Sequence, residues 1–349
     1  DTLHRQAQQL SPLTAGLTFD SFAIGGGTPL LLTVPQLEQL MATAALFGVH
    51  PSHAFTSVET SPEYADRPRL NVLKKAGVSR VSIGIQSFQD EELKAIKRRP
   101  RQNTIYQALD DIRQMDFPYF NIDLIYGIKG QTVESFLYSL EEALRFQPNE
   151  LFIYPLYVRQ GTGITEREPD DVCFRMYRAA CKLLQAKGFL QTSMRRFIHH
   201  PSTDAEVSCG DEVMLSCGSG GRSYLGDLHY ATRYTVCQQC IAREIDEYMA
   251  TTDFTVARNG FILSAKEQQQ RFIIKNLMYY MGIDKAEYTR RFGEPLDRTP
   301  LFRQLAEQYW IEETPERIRL TPEGLGYSDY IGQLFITPEI RQLMETYSY

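Results

Sequence analysis

The sequence predicts an α/β fold with parallel strands. Five short apolar runs, rich in Ile, Val, Phe and Tyr, recur along the first half of the chain, and amphipathic stretches lie between them. The runs begin near residues 21, 54, 80, 119 and 150, a spacing that suits one strand, one helix and two connections in each repeat. Both a barrel-type sheet and an open doubly wound sheet satisfy this spacing.

The five runs are predicted to be strands buried on both faces, because nearly every position in them is apolar. Strands of this kind are typical of parallel sheets that helices cover. In chain order they are SFAIG (21–25), AFTSVE (54–59), RVSIGIQ (80–86), YFNIDLIYG (119–127) and ELFIYPLYV (150–158).

The helices between these strands have recognisable beginnings and ends. Thr33, Asn103 and Thr132 are candidate N-cap residues ahead of helical patterns. Gly188 ends the last pattern of the series. The predicted helices cover residues 33–48, 103–115, 132–146 and 171–189.

The regular alternation ends near residue 190, where a second domain is expected to begin. Single cores rarely grow beyond about 250–300 residues, so a chain of 349 residues predicts two domains. Residues 191–235 are rich in Ser, Gly, Tyr and Arg, helical patterns follow, and 311–335 is predicted as strand, turn, strand and helix. We therefore predict an α/β domain over 1–190 and a smaller, mixed, mainly helical domain over 191–349.

Composition and charge exclude several classes of function. A net charge of −6 and a pI near 5.7 argue against a broad nucleic-acid footprint, which needs clustered Lys and Arg. The sequence has no apolar run of membrane-spanning length and no secretory-signal pattern. Six cysteines in a chain of this size are no disulfide framework. We expect a soluble, cytoplasmic protein that binds neither nucleic acid nor membrane.

Glycines and polar residues gather where the predicted strands end. Carboxyl ends of parallel strands meet at one edge, and buried polar groups are costly without partners, so such residues predict a shared polar ligand. A tight turn at the glycines and surface roles for the carboxylates are the alternatives. A dinucleotide fingerprint is excluded because Leu30 occupies its last glycine position, and no P-loop Lys-Ser/Thr pair follows. The gathered residues are Gly25, Gly26, Gly27, Thr28, Glu59, Gln86, Ser87 and Asp123, and Arg98 follows 12 residues after Gln86 on the next predicted helix.

Motifs at these strand ends resemble a known family. IGGGTP, VETSP, RVSIGIQSF, FNIDLIYGIKGQT and LYVRQGT occur in order, and together they resemble the radical S-adenosylmethionine enzymes related to oxygen-independent coproporphyrinogen III oxidase. That group also includes the heme chaperone and the class C radical methyltransferases. The resemblance extends from about residue 10 to residue 235, and it implies a partial (β/α)6 barrel of the TIM-barrel type.

For the methionine part of S-adenosylmethionine, the resemblance implies contacts at the first two strand ends. Gly25, Gly26, Gly27 and Thr28 would face its amino and carboxylate groups, and Glu59 would bind the same region. A zwitterion of this kind needs acceptors for its ammonium and donors for its carboxylate.

The nucleoside part of the cofactor is expected at the next two strand ends. By the same resemblance, Gln86 and Ser87 would contact the ribose and Asp123 would accept from its hydroxyls. Arg98 would face the cofactor carboxylate.

The resemblance also implies a [4Fe-4S] cluster, held by a C-x3-C-x2-C loop ahead of the triple glycine. No cysteine precedes Cys173, and the chain opens within a stretch that resembles the first barrel helix. We expect the cluster loop and the first barrel strand upstream of Asp1; a relative that binds the cofactor without a cluster is the alternative. The resemblance further implies that the protein binds one or two S-adenosylmethionine molecules and receives electrons from a donor such as flavodoxin or ferredoxin.

Four later cysteines are candidates for an auxiliary metal site. They are Cys209, Cys217, Cys237 and Cys240, and the C-x2-C spacing of the last two is common in metal sites. The alternative, which the sequence favours, is that these thiols pack or face water.

The expected function is that of a radical enzyme. It would cleave S-adenosylmethionine to a 5′-deoxyadenosyl radical and modify a small-molecule or peptide substrate, with methylation as the favoured outcome. Oxygen-independent coproporphyrinogen III oxidase is one alternative, and a non-catalytic protein that carries heme or binds the cofactor is the other. RLTPEGLGYSDYIGQLF (319–335) resembles the winged-helix-like tail of the family and has no basic face for DNA.

Overall fold

The computed structural model describes residues 1–49, 54–99, 101–159, 161–199, 213–233, 235, 238–296 and 300–346. The chain divides into two compact units. The first comprises Asp1–Ala180 and His199–Phe261, and the second comprises Cys181–Ile198 and Ile262–Ser348. The domain boundary at residue 190 stays a prediction, while this division assigns residues 213–261 to the first unit.

Five parallel strands form the sheet of the first unit, and each pairs with the next along the chain. They are β1 (Ser21–Ile24), β2 (Phe55–Thr60), β3 (Arg80–Gln86), β4 (Tyr119–Tyr126) and β5 (Glu150–Pro155). The predicted α/β fold with parallel strands is confirmed. Each strand begins within a residue of its predicted start, because β-branched and aromatic runs mark buried strands clearly.

Helices precede the sheet and connect its strands. They are α1 (Thr2–Leu10), α2 (Val34–Ala44), α3 (Arg67–Lys75), α4 (Asp90–Ala95), α5 (Gln102–Met115), α6 (Val133–Leu144) and α7 (Asp170–Ala186), with 3₁₀ turns at Ser11–Thr14, Pro29–Leu31 and Ala45–Phe47. The sequence prediction missed α3, which is short and mostly polar. It expected a helix after β3 that carries Arg98, but α4 ends before that residue. Asp66 nevertheless caps α3, because its carboxylate accepts from the Arg69 N–H at 3.0 Å.

One face of the sheet is apolar. Its residues are fully buried, and the helices carry matching fully buried positions such as Leu70, Leu109 and Phe136. Burying these side chains is the main stabilising contribution of the unit. The apolar sheet residues are Val58, Val81, Ile83, Ile122, Leu124, Leu151 and Ile153.

The opposite face of the same strands is polar, yet Ser57, Ser82, Asn121 and Glu150 on it are buried. The strands are thus largely buried on both faces, as predicted, but only one of these faces is apolar. Side chains alternate along a strand, and the register aligns Glu59, Ser82, Asn121 and Glu150 in one row across four strands. We call this surface the polar face. Its residues are Ser57, Glu59, Arg80, Ser82, Asn121, Asp123 and Glu150.

The remaining strands are short and antiparallel. They are β6 (Leu190–Gln191), β7 (Arg196–Ile198), β8 (Arg222–Leu225), β9 (Leu228–Ala231), β10 (Gly260–Ile262), β11 (Ile283–Asp284), β12 (Ile311–Glu313) and β13 (Arg317–Leu320). The later helices are α8 (Gln238–Ala250), α9 (Ala265–Leu277), α10 (Lys285–Phe292), α11 (Pro300–Glu307), α12 (Pro322–Gly326), α13 (Ser328–Leu334) and α14 (Pro338–Thr346).

The second unit packs its helices around a separate core. That core includes Phe272, Leu277, Ile283, Ile318 and Ile331, and a three-stranded sheet in the order β11-β13-β12 forms one wall of the unit. The predicted sequence of strand, turn, strand and helix over 311–335 is confirmed by β12, β13, α12 and α13. Across the described ranges, no helix combines the length and apolarity needed to cross a membrane.

Candidate functional site

The end of β1 presents bare backbone. Gly26 and Gly27 adopt positive φ angles of 77° and 61°, a region that glycine enters without strain. No heavy atom would lie within 4 Å of a Cβ built on either residue. The Gly26-Gly27 turn therefore offers its peptide groups to a ligand in open space.

The Glu59 carboxylate lies beside this turn. A Cβ placed on Gly25 would lie 3.0 Å from the Glu59 carboxyl carbon, so glycine at position 25 allows a close approach of backbone and carboxylate. Glu59 is exposed and makes no hydrogen bond or ion pair with the residues that the structure describes. Both of its carboxylate oxygens can therefore accept hydrogen bonds from a cationic group of a ligand.

A distortion at the end of β3 directs Gln86 toward the same edge. The register shifts between Gly84 and Gln86, and Gln86 has a positive φ of 72°, which is uncommon for a residue with a side chain. A Cβ on Gly84 would lie 2.6 Å from the Gln86 amide nitrogen. Since Gly84 pairs with Asp123, the Gln86 amide folds over the strand next to that carboxyl group.

Asp123 lies in the middle of a hydrogen-bonded trio on the polar face. The Asn121 amide donates to Asp123 Oδ1 at 2.7 Å and to Ser82 Oγ at 2.6 Å, and the Ser82 hydroxyl donates to Asp123 Oδ2 at 3.3 Å. Asn121 Oδ1 is buried without a hydrogen-bond partner among the described residues. The trio fixes the carboxyl group and leaves one acceptor of Asn121 unsatisfied, an unusual state for a buried polar atom.

The surroundings of Asp123 favour its protonated form. Burial raises the pKa of the Asp123 carboxyl from its ordinary value of 3.8 to about 7, and the nearby Glu59 carboxylate adds to the rise. Hydrogen bonds from Asn121 and Ser82 and the positive charge of Arg80 oppose it. A carboxyl group whose pKa is raised to near neutral pH is a common feature of ligand sites.

Arg80 forms the base of the polar face. Its guanidinium lies 3.3 Å from the Glu150 carboxylate, donates to Ser57 Oγ at 3.1 Å and stacks over the Phe152 ring. Both side chains of the ion pair are largely buried, at 12% and 3% exposure. Sequence reasoning missed this pair; its only signal was a charged residue at the start of two otherwise apolar runs.

Ser87 does not join the strand-end group. It is fully buried, and its hydroxyl donates to Glu92 Oε2 at 2.6 Å and accepts from the Gln89 N–H at 2.9 Å. The predicted ribose contact at Ser87 is at odds with this position, because the hydroxyl is engaged inside the fold.

Glu92 is a positioning residue that sequence reasoning missed. Its buried carboxylate on α4 accepts from Ser87, from the Gln131 amide at 2.9 Å and from the Ser135 hydroxyl. It thereby joins the loop after β3 to the loop after β4 and to the first turn of α6. Because buried carboxylates are costly unless fully hydrogen-bonded, this network holds both strand ends in one arrangement.

Thr28 and Arg98 lie at the margins of the site. Thr28 begins the 3₁₀ turn after the glycines, where its carbonyl oxygen accepts from the Leu31 N–H at 2.9 Å. Arg98 is exposed on the turn after α4 and makes no side-chain hydrogen bond with described residues. The structure thus brings together Gly25, Glu59, Gln86 and Asp123, and the predicted roles of Thr28 and Arg98 stay predictions.

The auxiliary cysteine site is only partly within the described residues, since Cys209 and Cys237 lie outside them. Burial raises the pKa of the Cys217 thiol to about 11, which disfavours the thiolate that binds metals. No group of three or more His, Cys, Asp or Glu side chains in the described ranges could hold a metal ion. The auxiliary site stays a prediction, and the described part of the chain offers no set of ligands for the implied iron-sulfur cluster.

The strand-end group does fit S-adenosylmethionine. Exposed peptide groups, an uncommitted carboxylate, an amide and a second carboxyl lie along one edge, and they complement the zwitterion and diol of that cofactor.

Two family models match the sequence. The Radical SAM superfamily model matches residues 14–143, and the HemN C-terminal domain model matches residues 263–326. The solved structure of coproporphyrinogen III oxidase (HemN) from Escherichia coli has a TM-score of 0.82 with this chain at 22% identity, over 97% of this chain and 82% of that one. This likeness shows the fold and supports the predicted partial barrel with its smaller second domain.

Curated relatives cover most of the chain. It is 27% identical over 330 residues to the heme chaperone HemW of Bacillus subtilis, covering 89% of this chain and 85% of the relative. It is 30% identical over 358 residues to the oxygen-independent coproporphyrinogen III oxidase of Salmonella typhimurium, covering 93% of this chain and 75% of the relative. The chain therefore belongs to the radical S-adenosylmethionine superfamily, in the group that contains oxygen-independent coproporphyrinogen III oxidase and the heme chaperone HemW.

Proposed function

We propose that the carboxyl ends of β1 to β4 bind S-adenosylmethionine, and that the protein is a radical enzyme that modifies a small-molecule or peptide substrate. The observation that carries the proposal is the uncommitted Glu59 carboxylate beside the bare backbone of Gly25. An exposed carboxylate next to glycine peptide groups offers acceptors to an ammonium group and donors to a carboxylate at the same point.

Each residue of the group has a separate task in this proposal. Glu59 accepts from the ammonium group, and the peptide groups of Gly26 and Gly27 approach the methionine carboxylate because no Cβ stands in the way. Asp123 and the Gln86 amide face the ribose hydroxyls. Arg98 is the candidate counter-charge for the cofactor carboxylate.

Bound S-adenosylmethionine would supply this chemistry: on taking up one electron from an external donor, it would give methionine and a 5′-deoxyadenosyl radical. The protein's own contribution is to hold the cofactor in one orientation. Glu92 fixes the loops that follow β3 and β4, the strands that carry Gln86 and Asp123. Orientation of this kind is a major source of catalytic power. Methyl transfer to the substrate, the outcome favoured by the sequence, stays a prediction.

Two other functions have support of their own. The 30% identity with the Salmonella oxidase favours decarboxylation of a porphyrinogen. The match over 85% of the Bacillus heme chaperone favours a protein that carries heme. An electron donor such as flavodoxin or ferredoxin is needed only by the two enzymatic functions.

One experiment separates these functions. Protein from the complete gene is reconstituted anaerobically with iron and sulfide, reduced, and mixed with S-adenosylmethionine. Release of 5′-deoxyadenosine supports an enzyme, and its stimulation by coproporphyrinogen III identifies the oxidase. Retention of heme on purification without release of 5′-deoxyadenosine would instead identify the carrier.

Removing the Glu59 carboxylate should weaken cofactor binding. Glu59→Ala is expected to raise the Kd for S-adenosylmethionine about 10- to 100-fold, because a charge-assisted hydrogen bond contributes roughly 1.5–3 kcal/mol. Isothermal titration calorimetry measures this directly. Glu63→Ala, an exposed carboxylate four residues along, is the matched control and should leave the Kd unchanged. Equal affinity of Glu59→Ala and the parent protein would refute the assignment.

Adding a methyl group at Gly84 should displace the Gln86 amide. The Gly84→Ala Cβ would lie 2.6 Å from that amide nitrogen, and the flexible end of Gln86 can move away without unfolding the strand. We expect S-adenosylmethionine to bind roughly 5- to 10-fold more weakly, which is the loss of about one hydrogen bond.

A double-mutant cycle tests the cause of this effect. Gln86→Ala should weaken binding by the same factor, and Gly84→Ala combined with Gln86→Ala should weaken it no further. Additive losses would show that Gly84 acts on the site by another route.

A further inference from the structure

A cluster of exposed cations lies between α4 and α5 in the first unit. Lys97, Arg98, Arg99 and Arg101 are four cations within five positions of a chain whose net charge is −6. All four residues are exposed, and none makes an ion pair or a side-chain hydrogen bond with the residues that the structure describes. A local excess of positive charge on an acidic chain indicates recognition of a negatively charged partner.

Other cations in this part of the unit have acidic partners. Lys94 on α4 lies 2.6 Å from the Glu91 carboxylate, and Lys129 after β4 lies 4.0 Å from the Glu166 carboxylate. Pairing with neighbouring carboxylates therefore neutralises these two side chains, but it does not neutralise the cluster.

The cluster lies at the carboxyl edge of the parallel sheet. It connects α4, which follows β3, to α5, which runs back toward the start of β4. The Gln102 amide, next in the chain, donates to Phe88 O at 2.9 Å, and Phe88 is two residues beyond the end of β3. The cluster is therefore on the same side of the unit as the strand ends of the proposed cofactor site.

Lys97 joins the cluster to the loop after β5. It has a positive φ of 60° just after α4, in a position where helices usually have glycine. A Cβ built on Gly163 would collide with the Lys97 ammonium nitrogen, so the ammonium group lies directly against that glycine. Lysine in a conformation that favours glycine indicates that its side chain has a function.

The loop after β5 adds exposed apolar side chains and a further cation. Tyr157 and Val158 are 44% and 42% exposed, and Arg159 beside them is exposed. The Arg159 carbonyl oxygen accepts from the Thr162 N–H at 3.3 Å and from the Thr162 hydroxyl at 2.8 Å. This turn holds Arg159 close to the glycine that Lys97 contacts.

The basic surface, as we call it, comprises these two segments without Arg98, which is assigned to the cofactor. Aromatic residues and arginines are enriched in protein–protein interfaces. A nucleic-acid interface often contacts roughly 6–10 phosphates, and a small anionic substrate needs a cavity that buries it, so an acidic protein fits these exposed side chains better. The residues of the basic surface are Lys97, Arg99, Arg101, Tyr157, Val158 and Arg159.

We propose that the basic surface is the docking site of a small acidic electron-transfer protein. This role rests on the proposed function, because that reaction takes up one electron from an external donor. A donor bound here lies on the side of the sheet where the cofactor is proposed to bind. Opposite charges steer the encounter and set the orientation of the two proteins, while Tyr157 and Val158 offer apolar area for the centre of the interface.

Titration of the protein with a purified flavodoxin of strongly negative net charge tests the surface. Calorimetry should show saturable binding that weakens at least about tenfold when sodium chloride is raised from about 20 to about 300 mM, since salt screens exposed charges. This measurement needs no cofactor chemistry. The absence of saturable binding at low salt, or tighter binding of a single-stranded RNA under the same conditions, would overturn the proposal.

Charge reversals link the binding to the basic surface. Arg99→Glu and Arg101→Glu should each raise the Kd for flavodoxin about 3- to 10-fold, because each replaces an attraction with a repulsion. Lys75→Glu is the matched control, since Lys75 is an exposed residue at the end of α3, near the start of β3, and its reversal changes the net charge equally. Equal weakening by Lys75→Glu would reduce the effect to net charge alone and contradict a docking site.

Replacing Lys97 with glycine separates docking from folding. Glycine adopts the positive φ without strain, so Lys97→Gly should unfold at the same temperature as the parent protein or higher. It should nevertheless bind flavodoxin about 2- to 5-fold more weakly, because one cation is lost. Unchanged binding would remove Lys97 from the basic surface.

Two reductants distinguish docking from the cofactor chemistry in reconstituted protein from the complete gene. With sodium dithionite, which needs no docking surface, Arg99→Glu and Arg101→Glu should release 5′-deoxyadenosine at the parent rate. With reduced flavodoxin below its Kd, both should release it about 3- to 10-fold more slowly, in line with their weaker binding. If neither reductant drives release from the parent protein, the proposed function fails, and calorimetry alone decides the docking site. Parent-like rates of both variants with flavodoxin would overturn the proposal.

Discussion

Replacing Asp123 with asparagine is expected to stabilise the protein by about 2–4 kcal/mol near pH 8 and, in the same variant, to weaken S-adenosylmethionine binding. The two effects have one cause. The polar face holds the Asp123 carboxyl group in surroundings that disfavour its charged form. In the proposed site, that charged form accepts hydrogen bonds from the ligand.

The sign of the stability effect follows from proton binding. The native pKa of Asp123 is about 7, above its ordinary value of 3.8, so between these values the native state binds more protons than the unfolded state. Stability therefore falls as the pH rises through this window, and the full cost is present above about pH 7. Asparagine has no charge to bury. The variant should therefore have a higher free energy of unfolding than the parent protein at high pH, and nearly the same free energy near pH 4.

Denaturant unfolding at a series of pH values checks this prediction. The difference in unfolding free energy between Asp123→Asn and the parent protein should grow from near zero at about pH 4 to its full size at about pH 8. Asp110→Asn, an exposed carboxylate on α5, is the control and should show no such growth. A variant that is less stable than the parent at high pH would contradict the raised pKa.

Binding is the second half of the prediction. Asp123→Asn should raise the Kd for S-adenosylmethionine about tenfold or more, because an ionised carboxylate accepts from hydroxyl groups more strongly than an amide oxygen. Unchanged affinity in a folded variant would remove Asp123 from the proposed site.

The sequence predicted the positions of the strands well, but the polar character of one of their faces was not predicted. Runs such as RVSIGIQ contain enough β-branched residues to mark a strand, whichever way their polar residues point. Arg80 and Ser82 alternate with Val81 and Ile83 in that run, so the period of two was present. It was obscured because the polar positions are few and each makes contacts only with residues far along the chain.

The strand-end site was predictable for a different reason. Glycines and a carboxylate at the carboxyl ends of parallel strands must share an edge, so Gly25, Glu59 and Asp123 are placed by topology alone. Ser87 shows the limit of that reasoning. The bulge that turns Gln86 toward the edge leaves the next residue facing into the fold. Gly84 inside the run is a local signal of a bulge, but it does not show which way the following residues face.

Long-range pairs account for most of what the sequence could not reveal. Glu92 hydrogen-bonds with Gln131 across 39 positions, and Arg80 on β3 pairs with Glu150 on β5 across the intervening strand β4. Such partners are recognisable only when the register of the strands is known, because a single charged or polar residue in a sequence looks like an ordinary surface residue.

The Arg80–Glu150 pair is the most costly feature of the polar face to disturb. Arg80→Met is expected to lower the free energy of unfolding by about 3–5 kcal/mol, because it removes one charge from an ion pair in which Glu150 is only 3% exposed. Denaturant unfolding measures the loss. Arg175→Met breaks an exposed ion pair with Asp171, whose side chains are 67% and 77% exposed, and should cost less than about 1 kcal/mol.

A second replacement separates the buried charge from the lost packing. Arg80→Met combined with Glu150→Gln removes both charges, so it should recover at least about half of the stability that the single variant loses. Arg80 also lowers the pKa of Asp123, and its removal should therefore move the pH dependence of stability to higher pH. If the double variant is no more stable than Arg80→Met, the cost lies in the packing of the Arg80 side chain against Phe152. If the pH dependence does not move, the charge of Arg80 does not affect the pKa of Asp123.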